Sequence, residues 1–115
     1  HNPTKAHVME PLLILTNVPD QTAAEKLARA LIDNRAAACV NVLAPCRSIY
    51  RWQGAVEMAD EIPLLIKSTV ANYADVERIV RAQHPYDVPE LIALPITQGL
   101  PAWLDWLAQE TERHD

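Results

Sequence analysis

Short apolar runs alternate along the chain with stretches in which apolar residues recur at helical spacing. Residues 12–16 form a short apolar run of the kind that buried strands show. Apolar residues then recur at every third or fourth position as far as about Arg35, which predicts an amphipathic helix. Asp20, or Thr22 with Glu25 in a capping box, supplies the start of this helix. The pattern therefore begins with a strand and a helix.

Two extended stretches joined by a tight turn follow the first helix. Residues 38–42 are small and β-branched, and the extended pattern resumes at 48–52 after an interruption at Ala44-Pro45. Gln53-Gly54 lies between two strand patterns and predicts a hairpin turn. Residues 55–69 then predict the third strand. The pattern thus indicates a long hairpin whose first arm is broken once.

A second helix, a fourth strand and a third helix complete the pattern. Asn72 supplies the cap of the second helix, and Pro85 ends it. Residues 91–96 form the fourth strand, and Pro101 suits the first turn of the last helix. Pro63 predicts an edge position or an irregularity in the third strand. The order β-α-β-β-α-β predicts an α+β, ferredoxin-like sandwich with an extra C-terminal helix and a long hairpin between the second and third strands.

The length of the hairpin predicts a partner. The chain has 115 residues, the size of one domain, and we assign 12–110 to that domain, 1–11 to a flexible N-terminal arm and 111–115 to a C-terminal tail. Hairpin arms of up to about 14 residues reach about 45 Å, whereas a domain of this size has a radius of gyration of about 13 Å. The projecting strands have unpaired edges, which proteins normally cover. We therefore expect a homo-oligomer in which the hairpin extends a neighbour's sheet.

The composition indicates which classes of partner and which cellular compartment to expect. The net charge is −5 and the ten Lys and Arg are dispersed, whereas a nucleic-acid-binding protein carries a basic patch. Cys39 and Cys46 lie about 20 Å apart on a regular strand, too far for a disulfide, which fits a reducing compartment. No apolar run approaches the length of a membrane span, and no signal peptide is visible. We expect a cytoplasmic protein without nucleic-acid or membrane partners.

The stretch His84-Pro85-Tyr86-Asp87-Val88-Pro89-Glu90, called here the 84–90 segment, is the strongest candidate for a functional site. Its two prolines fix their own φ angles and favour extended backbone in the residues before them. A stiff backbone that holds several polar groups has less conformational entropy to lose when it binds a ligand. A rigid connection between a helix and a strand is the alternative interpretation.

Several motifs, in this order, resemble the CutA divalent-cation tolerance protein family across about residues 12–110. They are Val18-Pro19-Asp20, residues 36–41, Ser48 to Gly54, Ile66 to Thr69, the 84–90 segment, Leu94-Pro95-Ile96 and Trp103 to Leu107. The resemblance implies a ferredoxin-like subunit in a homotrimer with hairpins packed between subunits. It also implies a mostly cytoplasmic bacterial protein linked to tolerance of copper and other divalent ions. Animal relatives are associated with anchoring acetylcholinesterase.

The resemblance makes His84 the leading candidate metal ligand, and imidazole suits copper and zinc. The alternative is a histidine that caps the helix or pairs with a carboxylate. Cys39 offers a soft sulfur suited to Cu(I), or else it is a buried core thiol. Some family members have a further cysteine and a further histidine among their proposed copper ligands. Thr16 and Gln83 occupy those positions here, so any copper or other divalent-metal site within one chain is expected to be weak.

A second set of residues is expected to line a cleft between subunits, if the family fold holds. It comprises Lys67, Tyr86, Glu90, Tyr50 and Trp52. Such a mixed set can bind a small anion or a metal. It can equally form an ion-pair network that fixes the interface, and Tyr50 and Trp52 are also typical of interface packing. The neighbouring carboxylates Asp60 and Glu61 are expected to lie on a solvated face.

Three function classes remain open. The first is a metal-binding or metal-tolerance homotrimer. The second is a signalling or small-ligand-binding trimer similar to PII-type proteins, and the third is a structural scaffold. The sequence has no G-x-S-x-G, P-loop or H-E-x-x-H motif and no other nucleophile constellation, so we expect no enzyme activity.

Overall fold

A computed structural model describes residues 9–112. Within them, five strands and three helices follow in the order β1-α1-β2-β3-β4-α2-β5-α3, and a short 3₁₀ turn, Val70–Asn72, leads into α2. The predicted α+β, ferredoxin-like fold with its extra helix is confirmed. Residues 1–8 of the predicted arm and 113–115 of the predicted tail lie outside the described residues. The elements are β1 (Pro11–Val18), α1 (Gln21–Asp33), β2 (Cys39–Val42), β3 (Cys46–Trp52), β4 (Ala55–Thr69), α2 (Tyr73–Gln83), β5 (Leu91–Pro95) and α3 (Pro101–Glu110).

The antiparallel sheet has the order β2-β4-β1-β5, and β3 also pairs with β4. Every second residue of β1 is buried, as expected for a strand with one face against the core. The core joins this face to the apolar stripes of α1 and α2. Its fully buried members include Ile14, Leu64, Ile66, Leu31, Val76 and Val80.

The other face of the sheet, called here the open face, is less buried than the core face in the described chain. The pairing register places side chains of β2, β4, β1 and β5 there in two neighbouring rows. Ile92 and Leu94 are about half exposed. This face is therefore apolar at one edge and polar at the other. The rows are Cys39, Lys67, Leu13 and Leu94, and Asn41, Leu65, Leu15 and Ile92.

The N-terminal caps of α1 and α2 agree only in part with the predicted ones. Asp20 caps α1, where its Oδ1 accepts a hydrogen bond from the backbone N–H of Ala23 at 2.8 Å. The alternative capping box at Thr22 and Glu25 does not form, because α1 already begins at Gln21 and Thr22 lies within its first turn. Asn72 precedes α2 as predicted, but its side chain does not cap that helix.

Pro63 lies in a central strand, so the edge position considered for it is wrong, whereas the irregularity is present. Residues 43–45 separate β2 from β3 opposite Pro63, and the Pro63 carbonyl accepts a hydrogen bond from the Leu43 N–H at 3.0 Å. The N and O atoms of one strand residue point to the same side. The missing N–H of Pro63 therefore faces the break, where a regular ladder would have needed a donor.

The β3–β4 hairpin projects from the domain. β4 has 15 residues, and only its second part pairs with β1 and β2. Gln53 and Gly54 both have positive φ, 50° and 83°, as a two-residue type I′ turn requires. The described chain measures 56 × 24 × 24 Å, with a radius of gyration of 15.6 Å, above the roughly 13 Å of a compact domain of this length. The predicted overhang is confirmed.

A buried polar network joins the end of β4 to the end of α3. Thr69 Oγ1 accepts hydrogen bonds from the backbone N–H of Asn72 at 3.2 Å and from its side-chain Nδ2 at 2.8 Å. Asn72 Nδ2 also donates to the carbonyl of Thr111 at 3.3 Å. Thr111 is buried, although the predicted tail began at this residue. In residues 9–112 no helix is long and apolar enough to cross a membrane.

Candidate functional site

His84 is buried at the C-terminal end of α2, and the protein contacts both of its ring nitrogens. Its backbone N–H donates to the Val80 carbonyl at 2.8 Å, and the following Pro85 ends the helix. Ring Nε2 lies 2.6 Å from the carbonyl oxygen of Asn17, and Nδ1 accepts a hydrogen bond from the Tyr86 N–H at 3.2 Å. A carbonyl can only accept and an amide N–H can only donate. The neutral tautomer with its proton on Nε2 therefore satisfies both contacts.

Tyr86 lies over the imidazole and reaches a group of polar side chains from other elements. Its ring centroid is 4.8 Å from that of His84, with the planes tilted by 53°. Burial raises the pKa of the Tyr86 phenol above its ordinary value, and the nearby Glu61, Tyr50 and Asp20 raise it further. Within one chain, the predicted residue Tyr50 therefore influences the pKa of the predicted residue Tyr86 electrostatically.

Glu61 is the residue of this group that sequence reasoning placed wrongly. It was expected on a solvated face with Asp60, but only 9% of it is exposed. Asp60 is exposed as expected and contacts Arg47, with 3.2 Å between Asp60 Oδ1 and Arg47 Nε. Glu61 lies where the hairpin leaves the sheet, next to the end of β1 and near Tyr86. Strand alternation gives no signal for this burial, because Glu61 and Ile62 are consecutive in β4 and both are buried.

Glu90 fastens the other end of the 84–90 segment to the end of β1. Its carboxylate accepts a hydrogen bond from Asn17 Nδ2 at 3.1 Å, and its backbone carbonyl accepts one from Thr16 Oγ1 at 2.7 Å. His84 binds the backbone of the same Asn17. The segment is therefore held to β1 at both of its ends. Thr16, considered above only as a missing metal ligand, is one of the residues that hold it.

Cys39 and Lys67 form a separate cluster on the open face of the sheet. They are directly paired on β2 and β4, and Lys67 Nζ lies 3.8 Å from Cys39 Sγ and also contacts Asn41 Oδ1. Lys67 pairs with Leu13, four residues before Asn17 on β1. That spacing corresponds to about 13 Å along the strand. Within one chain, Lys67 and Cys39 therefore lie away from His84 and Tyr86.

The remaining predicted residues also have defined positions. Trp52 lies at the tip of the hairpin, opposite Ala55, and is about half exposed. Both cysteines are free, as predicted, and Cys46 Sγ lies 3.9 Å from Ser48 Oγ. Among residues 9–112, no three His, Cys, Asp or Glu side chains are grouped so that they could hold a metal ion. One chain thus provides single donors for a metal rather than a complete set.

The ionisation of Tyr86 provides a test of this geometry. A raised phenol pKa means that the fold favours the neutral form, so its contribution to stability is present below about pH 10 and is lost as pH rises through the folded-state pKa. We expect Glu61→Gln to lower the Tyr86 pKa, although burial, the larger cause, remains. The midpoint of Tyr86 ionisation is measured by pH titration of the tyrosinate absorbance. The absorbance of the Tyr86→Phe derivative of each protein is subtracted, so that only the Tyr86 signal remains. Asp60→Asn is the matched control, and an equal midpoint in Glu61→Gln would contradict the electrostatic effect of Glu61 on Tyr86.

These features define an α+β, ferredoxin-like protein in which a projecting hairpin and a polar segment meet at the end of the first strand. A family model described as "CutA1 divalent ion tolerance protein" matches residues 12–110. The chain belongs to this family, as its motifs indicated.

Individual relatives agree with the family assignment. The divalent-cation tolerance protein CutA of Thermus thermophilus is 45% identical over 103 residues, 90% of this chain and 99% of that protein. The protein of the same name from Pectobacterium atrosepticum is 40% identical over 98 residues, 85% of this chain and 89% of that protein. A solved structure of the Thermus thermophilus protein matches with a TM-score of 0.87 at 43% identity, covering 89% of this chain and 99% of that chain.

Proposed function

We propose that the protein acts in divalent-cation tolerance as a homotrimer that binds copper or other divalent metal ions weakly and has no catalytic role. Its family supports the cation-related role, and its relatives are named as tolerance proteins. The projecting hairpin is the observation that carries the proposal of assembly. Free cysteines support a reducing compartment, and we propose the cytoplasm.

The hairpin supports assembly because both of its faces carry exposed apolar side chains. Ile49, Met58 and Val56 share one face and are 66%, 65% and 64% exposed. Tyr50 and Trp52 lie on the other face and are also exposed. An isolated two-stranded hairpin is marginally stable in water, and large exposed apolar patches are typical of protein interfaces. Packing between neighbouring copies would cover both faces at once.

Weak metal binding is consistent with the donors that the chain offers. The predicted ligands lie apart, His84 at the end of α2 and Cys39 on β2, and Thr16 and Gln83 supply no second soft donor. The Lys67 ammonium beside Cys39 would also repel a cation at the sulfur. Single donors and a net charge of −5 favour loose association with divalent ions over a high-affinity site.

Light scattering and calorimetry test the two parts of the proposal separately. We expect light scattering to give three times the mass of the chain. Calorimetric titration with Cu²⁺ and with Zn²⁺ should give weak, saturable binding, and Cys39→Ser and His84→Ala show whether either predicted ligand contributes. A stable monomer would contradict the assembly, and the absence of any saturable binding would contradict the metal-binding role.

A small-ligand-binding trimer is the second candidate, and the position of Tyr86 favours it. Glu61 and Tyr50 lie on the paired strands of the hairpin and raise the pKa of Tyr86, so a neighbouring copy packed on the hairpin would lie near this group. Lys67, on the open face, could be added from another subunit. A thermal-shift screen of nucleotides and organic anions on the trimer tests this function. If none of them stabilises the protein, the result contradicts the small-ligand-binding function and favours a structural scaffold.

A further inference from the structure

We infer that His84 is a positioning residue that fixes the 84–90 segment, and that its imidazole does not take part in the weak metal binding proposed above. The second part of this inference rests on the proposed function, whereas the first depends only on the geometry of one chain. The inference assigns His84 a role different from the metal-ligand role expected from the sequence.

The hydrogen bonds of the imidazole leave no nitrogen lone pair free for a metal. A metal binds neutral imidazole through an unprotonated nitrogen. The Nε2 proton is directed at the Asn17 carbonyl, 2.6 Å away, and the Nδ1 lone pair accepts the Tyr86 N–H. Coordination at Nδ1 would have to displace the Tyr86 N–H, and coordination at Nε2 would have to break the contact with Asn17. In either case a partly buried polar group of the backbone loses its partner.

The surroundings of the ring also fit a positioning role better than a metal site. His84 is only 8% exposed, and the Tyr86 ring lies against it. Residues 9–112 contain no grouped set of His, Cys, Asp and Glu donors that would compensate for the lost hydrogen bonds. The same ring, by contrast, joins three parts of the chain: the end of α2, the backbone of the segment at Tyr86, and the end of β1.

The consequence of this role is the placement of Tyr86. The backbone bond from Tyr86 to His84 Nδ1 and the contact between the two rings fix the backbone and the ring of Tyr86 against the imidazole. The Glu90 contacts hold the other end of the segment without involving His84. Loss of the imidazole is therefore expected to release Tyr86 while Glu90 remains attached to Asn17.

Nitrogen NMR of the intact protein tests the state of the ring directly. His84 is the one histidine among residues 9–112, and comparison with His84→Gln assigns its signals. Where the ring is neutral, we expect the tautomer with its proton on Nε2, and no change in either ring-nitrogen signal on addition of excess Zn²⁺. A Zn²⁺-dependent shift of Nδ1 or Nε2, or a proton found on Nδ1, would overturn the inference.

Hydrogen exchange tests the positioning role with a matched pair of variants. His84→Gln keeps an N–H donor that can reach Asn17 but has no acceptor at the position of Nδ1. We expect the Tyr86 amide to exchange about 2–10 times faster in this variant, the range that corresponds to one ordinary hydrogen bond. Gln83→Ala, on the exposed neighbouring residue, should leave this rate unchanged. Unchanged exchange in His84→Gln would refute the positioning role.

The outcomes separate this inference from the proposed function. If the wild-type protein binds no Zn²⁺ at all, the metal-binding proposal fails, while the tautomer and the Tyr86 exchange rate still test the positioning role. If Zn²⁺ binds and shifts the His84 nitrogens, the proposed function stands and the positioning inference fails. If His84→Gln does not fold, sequential assignment of the wild-type protein identifies the His84 signals, and the wild-type spectra are then sufficient for this distinction.

Discussion

Met58→Asp is expected to convert the proposed homotrimer into monomers. Met58 lies opposite Ile49 near the middle of the hairpin, with 65% of its surface exposed in the single chain. Assembly would bury this position in every copy. An unpaired carboxylate there costs several kcal/mol per copy, so we expect the association constant to fall by about 10³-fold or more. The fold of the subunit should persist, because Met58 lies on the projecting hairpin and the core between the sheet and helices α1 and α2 is unchanged.

Light scattering over a range of protein concentrations measures the change in assembly, and far-UV circular dichroism checks the subunit. Met58→Leu is the volume-conserving control and should remain trimeric. Ala102→Asp places the same charge at an exposed position in the first turn of α3, where a carboxylate is favourable. This control shows whether any added negative charge disrupts assembly or only one placed on the hairpin. A Met58→Asp protein with the wild-type mass would show that the hairpin is not the interface.

Thr69→Val is expected to destabilise the subunit by about 2–4 kcal/mol, because two donors of Asn72 lose their shared acceptor. Valine has nearly the shape of threonine but offers no oxygen. The Asn72 backbone N–H and side-chain Nδ2, both buried, would keep only the contact of Nδ2 with the Thr111 carbonyl. The 3₁₀ turn before α2 and the end of α3 should loosen together, since this network joins them.

Urea denaturation at a fixed protein concentration measures this loss, because the stability of an oligomer depends on concentration. Thr69→Ser is the matched control: it keeps the hydroxyl and removes one methyl group, which costs about 1 kcal/mol. Comparing the two variants separates the effect of losing the Thr69 hydroxyl from the effect of changing the packing of its methyl group. A valine variant that is no less stable than the serine variant would contradict the role assigned to this hydroxyl.

The sequence predicted the architecture well because the apolar periodicity is strong in each element. The run at 12–16 and the helical spacing up to Arg35 became β1 and α1, with differences of one or two residues at most ends. The position of Pro63 was harder to predict, because a proline inside a strand, taken alone, indicates an edge strand. Its place in a central strand depends on the break at 43–45, which only the pairing of the strands reveals.

The candidate site was less predictable, because its key contacts use groups that a sequence does not distinguish. Every residue has a carbonyl, so nothing marked Asn17 as the partner of His84 Nε2. Glu61 is buried although its neighbour Asp60 is exposed, and the residue types in this part of β4 do not indicate that difference. The two prolines of the segment predicted a stiff backbone, and the structure adds hydrogen bonds that hold the segment to β1 at both ends. The grouping of Lys67 with Tyr86 and Glu90 within one cleft stays a prediction about neighbouring subunits.

The break at residues 43–45 has a consequence for chains that have not assembled. It separates the backbone bonds of the β3–β4 hairpin from those of β2, so the hairpin can open without disturbing the core beneath α1 and α2. An orphan subunit would therefore present two apolar strands with free edges while remaining otherwise folded. Such a chain is an early target for proteases, and it can aggregate through the same surface that serves assembly.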